Sequence, residues 1–237
     1  MKFILILLLT FSSVCYSQNQ KSDVYTHQLF NNLLQKHVTS AGSVNYSGLK
    51  QDEKSLNRYL NELSKNIPDN SSSRNGTLAY WINAYNAFTL KLILDNYPLK
   101  SITDLNRGKP WDVKWIALGN KKYSLNNIEN DIIRSVYKDA RIHFALNCAA
   151  ISCPPLLNKA FTSNNIEELL YTQTRNFINS QANDLSLTKI KVSKVFEWYK
   201  KDFGDATAFI NKYSKTKINS NALISYKEYN WNLNRSK

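Results

Sequence analysis

Apolar side chains at helical spacing predict most of the regular structure in this chain. Residues 23–38 and 55–67 carry apolar residues every three to four positions, and residues 77–97 form a longer stretch whose first half is apolar nearly all round. A helix that is apolar on every side is buried, so we expect the third helix at the centre of the fold. Further helices are predicted at 124–136, 165–178, 193–199 and 206–213.

Alternating and short apolar stretches predict the strands. Residues 111–117 and 122–124 flank Gly119-Asn120 and predict a hairpin, and residues 185–192 and 223–233 alternate between apolar and polar. The apolar run 142–146 predicts a buried strand. Helices packed around a small, mainly antiparallel sheet make an α+β domain.

The first residues have the pattern of a secretory signal peptide. Lys2 precedes a nearly unbroken apolar run, which ends in small residues up to Ser17. The run is too short for a membrane-spanning helix, which needs about 20 residues. We therefore expect cleavage after Ser17 and an exported, periplasmic or secreted protein with no transmembrane segment in the mature chain. Retention of Cys15 as the lipid-bearing residue of a lipoprotein is the second choice, because Val14 is bulky for such a site.

No Gly/Ser-rich or Pro-rich linker divides the rest of the chain. The polar stretch 70–76 is the clearest loop. We expect it to join an N-terminal helical layer at 18–70 to a main α+β domain at 71–237, the two forming one globular unit.

The charge of the chain narrows the range of partners. Lysine and arginine number 31 against 18 acidic residues, a net charge of +13, and removing residues 1–17 takes away one lysine to leave 30 minus 18, or +12. The basic residues are spread out, which favours solubility and, beyond that, an anionic component of the cell envelope. Export and the lack of a nucleic-acid motif argue against nucleic acid as a partner.

The segment 141–156 holds the candidate chemistry. It contains His143, Cys148 and Cys153, and a thiolate beside an imidazole is the pair that nucleophilic catalysis uses. Because prolines are favoured at a helix start and two of them follow Cys153, we expect Cys153 or Ser152 at an N-cap, where the helix would stabilise a thiolate.

Two alternatives to catalysis arise from the same residues. In an exported protein, a disulfide between Cys148 and Cys153 is at least as compatible with the sequence as a reactive thiol. With His143 these residues offer only three metal ligands, at a spacing that matches no common zinc site, so we expect neither a metal nor another cofactor.

Several polar residues at helical positions need an explanation. Asn83 and Asn86 lie three apart on the apolar helix, and a buried carboxamide is costly without hydrogen bonds. They either tie the helix to the backbone of a neighbouring segment or line a polar pocket. With Tyr80 and Ser152 they are the candidate substrate-binding residues.

The remaining charged and histidine side chains are expected at the surface. His27 and His37 lie on an amphipathic helix and are predicted to face solvent, and Arg134 is predicted to be a surface ion. Glu129 is either another surface ion or part of the site.

Five blocks in this order resemble the domain of unknown function 547 family: Tyr80 to Ala87, Ser124-Leu125 with Ile128-Glu129, Arg141 to Cys148 with Ser152-Cys153-Pro154, Trp198-Tyr199 with Asp202-Phe203, and Tyr229 to Asn234. The resemblance extends over nearly the whole mature chain. It implies a fold similar to the papain and transglutaminase group, which uses a Cys, a His and an Asp or Asn.

These residues suggest a catalytic scheme, and comparison with the family pattern shows two departures. Cys153 or Cys148 would be the nucleophile and His143 the base, oriented by Asn230, Glu129 or an asparagine of the central helix, with backbone donors at the Cys153 helix start for the oxyanion. Asn130 and Asn230 stand where the family usually has His and Asp, which weakens proton transfer at those positions.

Two functions therefore remain open from the sequence. The first is thiol-dependent acyl transfer or amide hydrolysis on a peptide or cell-wall target. The second is a non-catalytic exported binding module for a peptide or glycan, held by a Cys148–Cys153 disulfide.

Overall fold

The computed structural model describes residues 26–236, so the predicted leader at 1–17 lies outside the described residues. The helices are α1 (Gln28–His37), α2 (Tyr46–Gln51), α3 (Glu53–Lys65), α4 (Arg74–Asp95), α5 (Ser135–Tyr137), α6 (Ile166–Ile178), α7 (Val195–Trp198), α8 (Lys200–Phe203) and α9 (Ala206–Asn211). The strands are β1 (Ile116–Leu118), β2 (Lys121–Tyr123), β3 (Asp184–Leu185), β4 (Lys189–Val192) and β5 (Leu223–Tyr226). Within residues 26–236, no helix is both long enough and apolar enough to cross a bilayer.

The predicted central helix is confirmed as α4, which is buried along most of its length. It starts at Arg74, because the Ser73 hydroxyl accepts a hydrogen bond from the Gly76 N–H at 3.0 Å and caps the first turn. The predicted loop at residues 70–76 is therefore wrong at 74–76, which belong to α4. Helices α1 to α3 pack against α4 and share one hydrophobic core with it.

The prediction that His27 and His37 face solvent is wrong, because α1 packs against α3 and covers both rings. His27 is 6% exposed and its Nδ1 lies 2.7 Å from the Tyr59 hydroxyl. His37 is 5% exposed and its Nε2 lies 2.6 Å from Oδ2 of Asp52.

The hairpin β1–β2 is confirmed, although its first strand is shorter than predicted. Residues Pro110–Asp112 form a 3₁₀ turn, and only Ile116–Leu118 pairs with Lys121–Tyr123. The helix that follows is capped by Ser124, whose hydroxyl accepts from the Asn127 N–H at 3.0 Å. Its middle, Asn127–Arg134, is a π-helix, a form that is common at functional sites.

The predicted strand at 142–146 is a 3₁₀ helix, Ala140–Phe144. A short buried apolar run has no periodicity that separates strand from helix. With three residues per turn, consecutive side chains point in three directions. Ile142 therefore enters the core around α4, Phe144 enters a second core built on α6 and the C-terminal elements, and His143 lies between the two.

The C-terminal sheet differs in detail from the prediction. Residues 185–192 form the hairpin β3–β4 instead of one strand, and β5 adds to β4 in parallel and ends at Tyr226. Beyond it, isolated bridges pair Asn232 with Ser101 and Leu233 with Ala150. Two small sheets packed with many helices confirm the α+β class, and two of the three strand pairs are antiparallel.

Candidate active site

A cavity of about 210 Å³ lies between the two hydrophobic cores. Four of the predicted site residues line it together: Glu129, His143, Cys148 and Cys153. Most of the remaining wall is aromatic, from Tyr85, Trp111, Trp198, Tyr199, Tyr229 and Trp231. An apolar cavity with a few convergent polar groups is the usual form of a ligand site.

The two cysteines occupy a tight loop that follows the 3₁₀ helix. Both are free thiols; Cys148 is half-buried and Cys153 is buried. The backbone N–H of Cys148 lies 3.0 Å from Sγ of Cys153, and Sγ of Cys148 lies 3.2 Å from the Tyr229 hydroxyl. Ala149, directly after Cys148, has a φ of 62°, a strained conformation for a residue with a Cβ. The loop therefore holds the Cys148 sulfur at the cavity wall.

The prediction of a helix start at Cys153 is wrong. After Pro154 and Pro155 the chain is irregular until α6 begins at Ile166, so no helix N-terminus lies beside Cys153. No helix N-terminus is present to stabilise a thiolate here, and burial raises the pKa of the Cys153 thiol well above its ordinary value. The predicted oxyanion donors at that helix start are absent for the same reason.

The pKa of the Cys148 thiol shifts in the opposite direction, toward a lower value. A hydrogen bond with the Cys153 thiol, and smaller ones with the Tyr229 hydroxyl and the Ala150 N–H, lower the pKa of Cys148 against the effect of burial. Donors directed at a sulfur stabilise its negative charge. Cys148 is therefore the better thiolate of the two.

The asparagines of α4 hold the loop in place. Asn86 donates to the Ala145 carbonyl at 2.9 Å and accepts from the Asn147 N–H at 2.9 Å. Asn83 makes the same two-way bridge to Phe161, at 2.7 and 3.0 Å. This is the structural alternative that the sequence left open, and neither side chain is among the residues that line the cavity.

His143 is held by a carboxylate that the sequence did not single out. It is 4% exposed, its Nε2 lies 2.7 Å from Oδ2 of Asp202, and its ring stacks on Tyr199 with 3.7 Å between centroids. Burial lowers the pKa of His143 to about 4, although Asp202 opposes this. The imidazole is therefore neutral at pH 7.

Arg134 completes this network and is not the free surface ion that was predicted. Its Nε and Nη2 donate to the two carboxylate oxygens of Asp202 at 2.7 and 2.9 Å. These bonds hold the pKa of Asp202 below its ordinary value, so the carboxylate is ionised. An ionised Asp202 can only accept, so Nε2 of His143 carries the proton and Nδ1 is the basic nitrogen.

Glu129 is buried, so the surface alternative is wrong for it. It is 5% exposed and projects from the π-helix into the cavity wall. Burial raises the pKa of its carboxyl, while hydrogen bonds with the hydroxyls of Tyr199 and Tyr85 act in the opposite direction. A buried carboxyl without a direct cation partner is costly to the fold and is typical of a functional site.

We expect Glu129→Gln to raise the free energy of unfolding at pH 7. A raised folded-state pKa contributes stability below the unfolded value of 4.5, and this contribution is lost as the pH rises through the folded value. Glutamine keeps the shape without the buried charge, so the gain should appear at neutral pH and shrink below pH 4.5. Urea unfolding of both proteins at pH 4 and 7 measures it, with Glu168→Gln on the exposed face of α6 as control. A variant that is less stable than the parent at pH 7 would contradict this account.

The other predicted site residues lie outside the cavity wall. Tyr80 is fully buried and donates to the Leu63 carbonyl at 2.7 Å. Ser152 and Asn230 bond to each other: the Asn230 N–H donates to the Ser152 hydroxyl at 2.9 Å, and the Ser152 N–H donates to the Asn230 carbonyl at 3.2 Å. This pairing fixes the C-terminal segment against the cysteine loop and brings Tyr229 and Trp231 to the cavity.

Several site residues were missed by the sequence reasoning. Asp202, Tyr199 and Tyr229 appear within the quoted blocks, but their roles depend on contacts across 56 to 81 positions of the chain. Period-two alternation placed Tyr229 in a strand, and an aspartate after two lysines has the pattern of a solvated face. The blocks themselves were the only available signal.

No curated protein and no solved structure matches this chain, so the comparisons do not support the resemblance to the papain and transglutaminase group. One family model matches just under half of the chain. The resemblance was predicted to extend over nearly the whole mature chain, but the match ends before the last two of the quoted blocks. It takes in α4, the π-helix and the cysteine loop. The match runs over residues 68–178, and the family is described as "Protein of unknown function, DUF547".

Proposed function

We propose that this protein is a thiol-dependent hydrolase or acyltransferase in which Cys148 attacks an amide or ester carbonyl of a peptide or cell-wall target. The observation that carries the proposal is the set of donors around one sulfur. Cys153, Tyr229 and the Ala150 N–H all bond to Cys148 at the wall of a cavity that His143 also lines. Structural cysteines do not need such an arrangement, whereas nucleophilic ones do.

In this scheme hydrogen bonds to the Cys148 sulfur favour its ionisation, and the thiol proton passes to a neutral imidazole when the sulfur attacks. Because the pKa of His143 is lowered to about 4, the resting site holds a neutral ring. Asp202 on Nε2 keeps Nδ1 as the acceptor and stabilises the charge that develops when Nδ1 takes a proton. His143 is thus the proton carrier, and Asp202 replaces Asn230 and Glu129 as its orienting partner.

Tyr229 is the donor for the developing oxyanion. The backbone N–H groups of the cysteine loop are already used, since those of Cys148, Ala149 and Ala150 bond to Sγ of Cys153, to Asn147 and to Sγ of Cys148. The Tyr229 hydroxyl lies 3.2 Å from the nucleophilic sulfur. It is therefore within reach of a carbonyl oxygen under attack, and it can donate to that oxygen once the charge leaves the sulfur.

The reaction then balances without a cofactor. The sulfur of Cys148 forms a bond to the acyl carbon, and the carbon–nitrogen or carbon–oxygen bond breaks to leave a thioester. The thiol proton passes through His143 to the leaving group. Water, or an acceptor amine, then attacks the thioester and the thiol recovers its proton.

Two further expectations belong to this proposal. A relation to the papain and transglutaminase group is supported by the set of Cys148, His143 and Asp202, which supplies the side chains that this group uses. Export to the periplasm or medium is supported by the composition of residues 1–17 alone.

Thiol labelling tests the choice of nucleophile. We expect iodoacetamide at pH 7 to label Cys148 and not Cys153 in the full, non-reduced chain, and p-nitrophenyl acetate to leave one acetyl group on Cys148. Tyr229→Phe should slow labelling, because it removes a donor that lowers the pKa of Cys148. Tyr226→Phe is the matched control, because Tyr226 is half-buried and outside the cavity wall. Peptide mapping by mass spectrometry reads both results.

Two outcomes would contradict the proposal. Labelling confined to Cys153 would show that the hydrogen-bond argument chose the wrong sulfur. A native mass two hydrogens below the reduced mass would show a Cys148–Cys153 disulfide and would favour the binding module.

A further inference from the structure

We propose that the aromatic mouth of the cavity is a subsite for an uncharged carbohydrate. This aromatic wall consists of Trp111, Trp198, Tyr229 and Trp231. The inference rests on the proposed function in one respect: it makes the substrate a sugar that carries an amide- or ester-linked acyl group. The evidence for the subsite is the packing of the four rings, the charge of the cavity wall and the distance from the wall to the Cys148 sulfur.

The rings of the aromatic wall pack into one continuous surface. Trp231 lies 5.6, 5.7 and 4.5 Å from the ring centroids of Trp111, Trp198 and Tyr229. Trp198 and Trp231 are inclined by only 24°, and Trp198 is 45% exposed. A contiguous apolar patch beside a cavity, unlike a single exposed ring, is typical of an interaction site. Adjacent, nearly parallel indole faces suit a flat, partly apolar ring such as a pyranose.

The residues that line the cavity disfavour a charged ligand. Lysine and arginine are abundant in the chain, with 31 residues, yet none of the described residues that line this cavity is a lysine or an arginine. The expectation of an anionic partner therefore does not extend to the cavity. The carboxyl of Glu129 is already bonded to the hydroxyls of Tyr199 and Tyr85, so it is not a free partner for a ligand cation.

Polar groups stand beside the rings, as recognition of sugar hydroxyls requires. Asn126 lines the cavity, and its amide donates to Oδ1 of Asp112 at 2.6 Å. Asp112 is exposed on the turn that carries Trp111. A carboxamide and a carboxylate fixed to each other offer donors and acceptors in a set geometry next to an apolar face.

The aromatic wall continues directly to the nucleophile. Tyr229 lies 3.2 Å from the Cys148 sulfur through its hydroxyl, and its ring lies 4.7 Å from that of Trp198. A sugar stacked on the tryptophans therefore places a substituent at the sulfur. An N-acyl or O-acyl group on that sugar is the substrate class that fits both parts of the cavity.

The test is a calorimetric titration of the full chain with an N-acetylated chitotetraose. We use Cys148→Ala as the parent so that no turnover occurs. We expect binding, and we expect Trp198→Ala to weaken it at least tenfold. Tyr171→Ala is the matched control, because Tyr171 is 48% exposed but lies outside the cavity wall, and it should bind like the parent. Circular dichroism confirms that each variant is folded.

The comparators separate this inference from the proposed function. The de-acetylated, cationic tetraose and anionic polygalacturonate should bind more weakly than the neutral sugar. Equal binding of Trp198→Ala, tighter binding of either charged polymer, or no binding of the neutral sugar would overturn the subsite. If Cys148 is acetylated by p-nitrophenyl acetate but no sugar binds, only the subsite fails. If sugar binds and Cys148 does not react, only the catalytic proposal fails.

Discussion

The parent protein should lose about 3 kcal/mol more of its free energy of unfolding than a His143→Gln variant as the pH falls from 6.5 to 4. The cause is burial of the His143 imidazole, which lowers its pKa from 6.5 to about 4. In the unfolded chain the ring takes up a proton in this range, whereas in the folded protein it does not.

The direction of the effect follows from proton uptake. Between pH 6.5 and 4 the unfolded state binds more protons, so stability rises with pH in this window. The contribution is fully present above pH 6.5 and is lost as the pH falls through the folded value. The lowered pKa of Asp202 acts in the same direction at lower pH, because its ionised form is bonded to Arg134 and His143.

Urea unfolding from pH 4 to 7.5 measures the difference. Glutamine at position 143 retains a donor for Asp202 but does not titrate, so its curve should be flatter than that of the parent. An NMR titration of the ring gives the folded-state pKa independently. Parallel curves for parent and variant, together with a ring that titrates near 6.5, would show that the imidazole is not buried as described.

The second large effect concerns the asparagine bridge of α4. We expect Asn83→Ala to lower the free energy of unfolding by about 2–6 kcal/mol, since each buried polar group left without a partner costs about 1–3 kcal/mol. Asn83 is 1% exposed and bonds to both the N–H and the carbonyl of Phe161, which is itself buried. The substitution leaves both backbone groups unpaired and opens a void.

Two further variants make the Asn83 measurement specific. Asn83→Asp keeps an acceptor for the Phe161 N–H and, while its carboxyl is protonated, an O–H donor for the Phe161 carbonyl. Its loss of stability should therefore be smaller than that of Asn83→Ala at low pH and should grow once the carboxyl ionises. Asn61→Ala, on the exposed side of α3, is the matched control and should change stability by less than about 0.5 kcal/mol. If Asn83→Ala costs no more than this control, the bridge does not hold the segment in solution.

The two hydrophobic cores hold the candidate site rigidly. Ile142 and Phe144 anchor the 3₁₀ helix in two different cores, and Asn86 fixes the turn between Ala145 and Asn147. His143 and Cys148 are therefore held by elements that cannot move independently of the cores. The proposed pairing of Cys148 with His143 requires rigid support of this kind.

Helices could be predicted wherever the periodicity of apolar residues extends over several turns. The segments 55–67, 77–97 and 165–178 each repeat apolar residues over several turns, and each is a helix in the structure. The run 142–146 was misread because five residues, apolar except for His143, suit a buried strand and a buried helix equally well. The prolines after Cys153 were misread because proline favours a helix start but does not create one.

The sequence by itself determined the helical framework, the α+β class and the segment that carries the thiols and the imidazole, because these depend on neighbours within a few residues. Only the tertiary structure decided that Cys148 is the better thiolate, that Asp202 orients His143 and that Glu129 is buried. Each of these properties comes from a partner far along the chain: Tyr229 is 81 positions from Cys148, and Asp202 is 59 from His143. A pKa depends on burial and on the groups that surround the atom in space, and local sequence does not encode either.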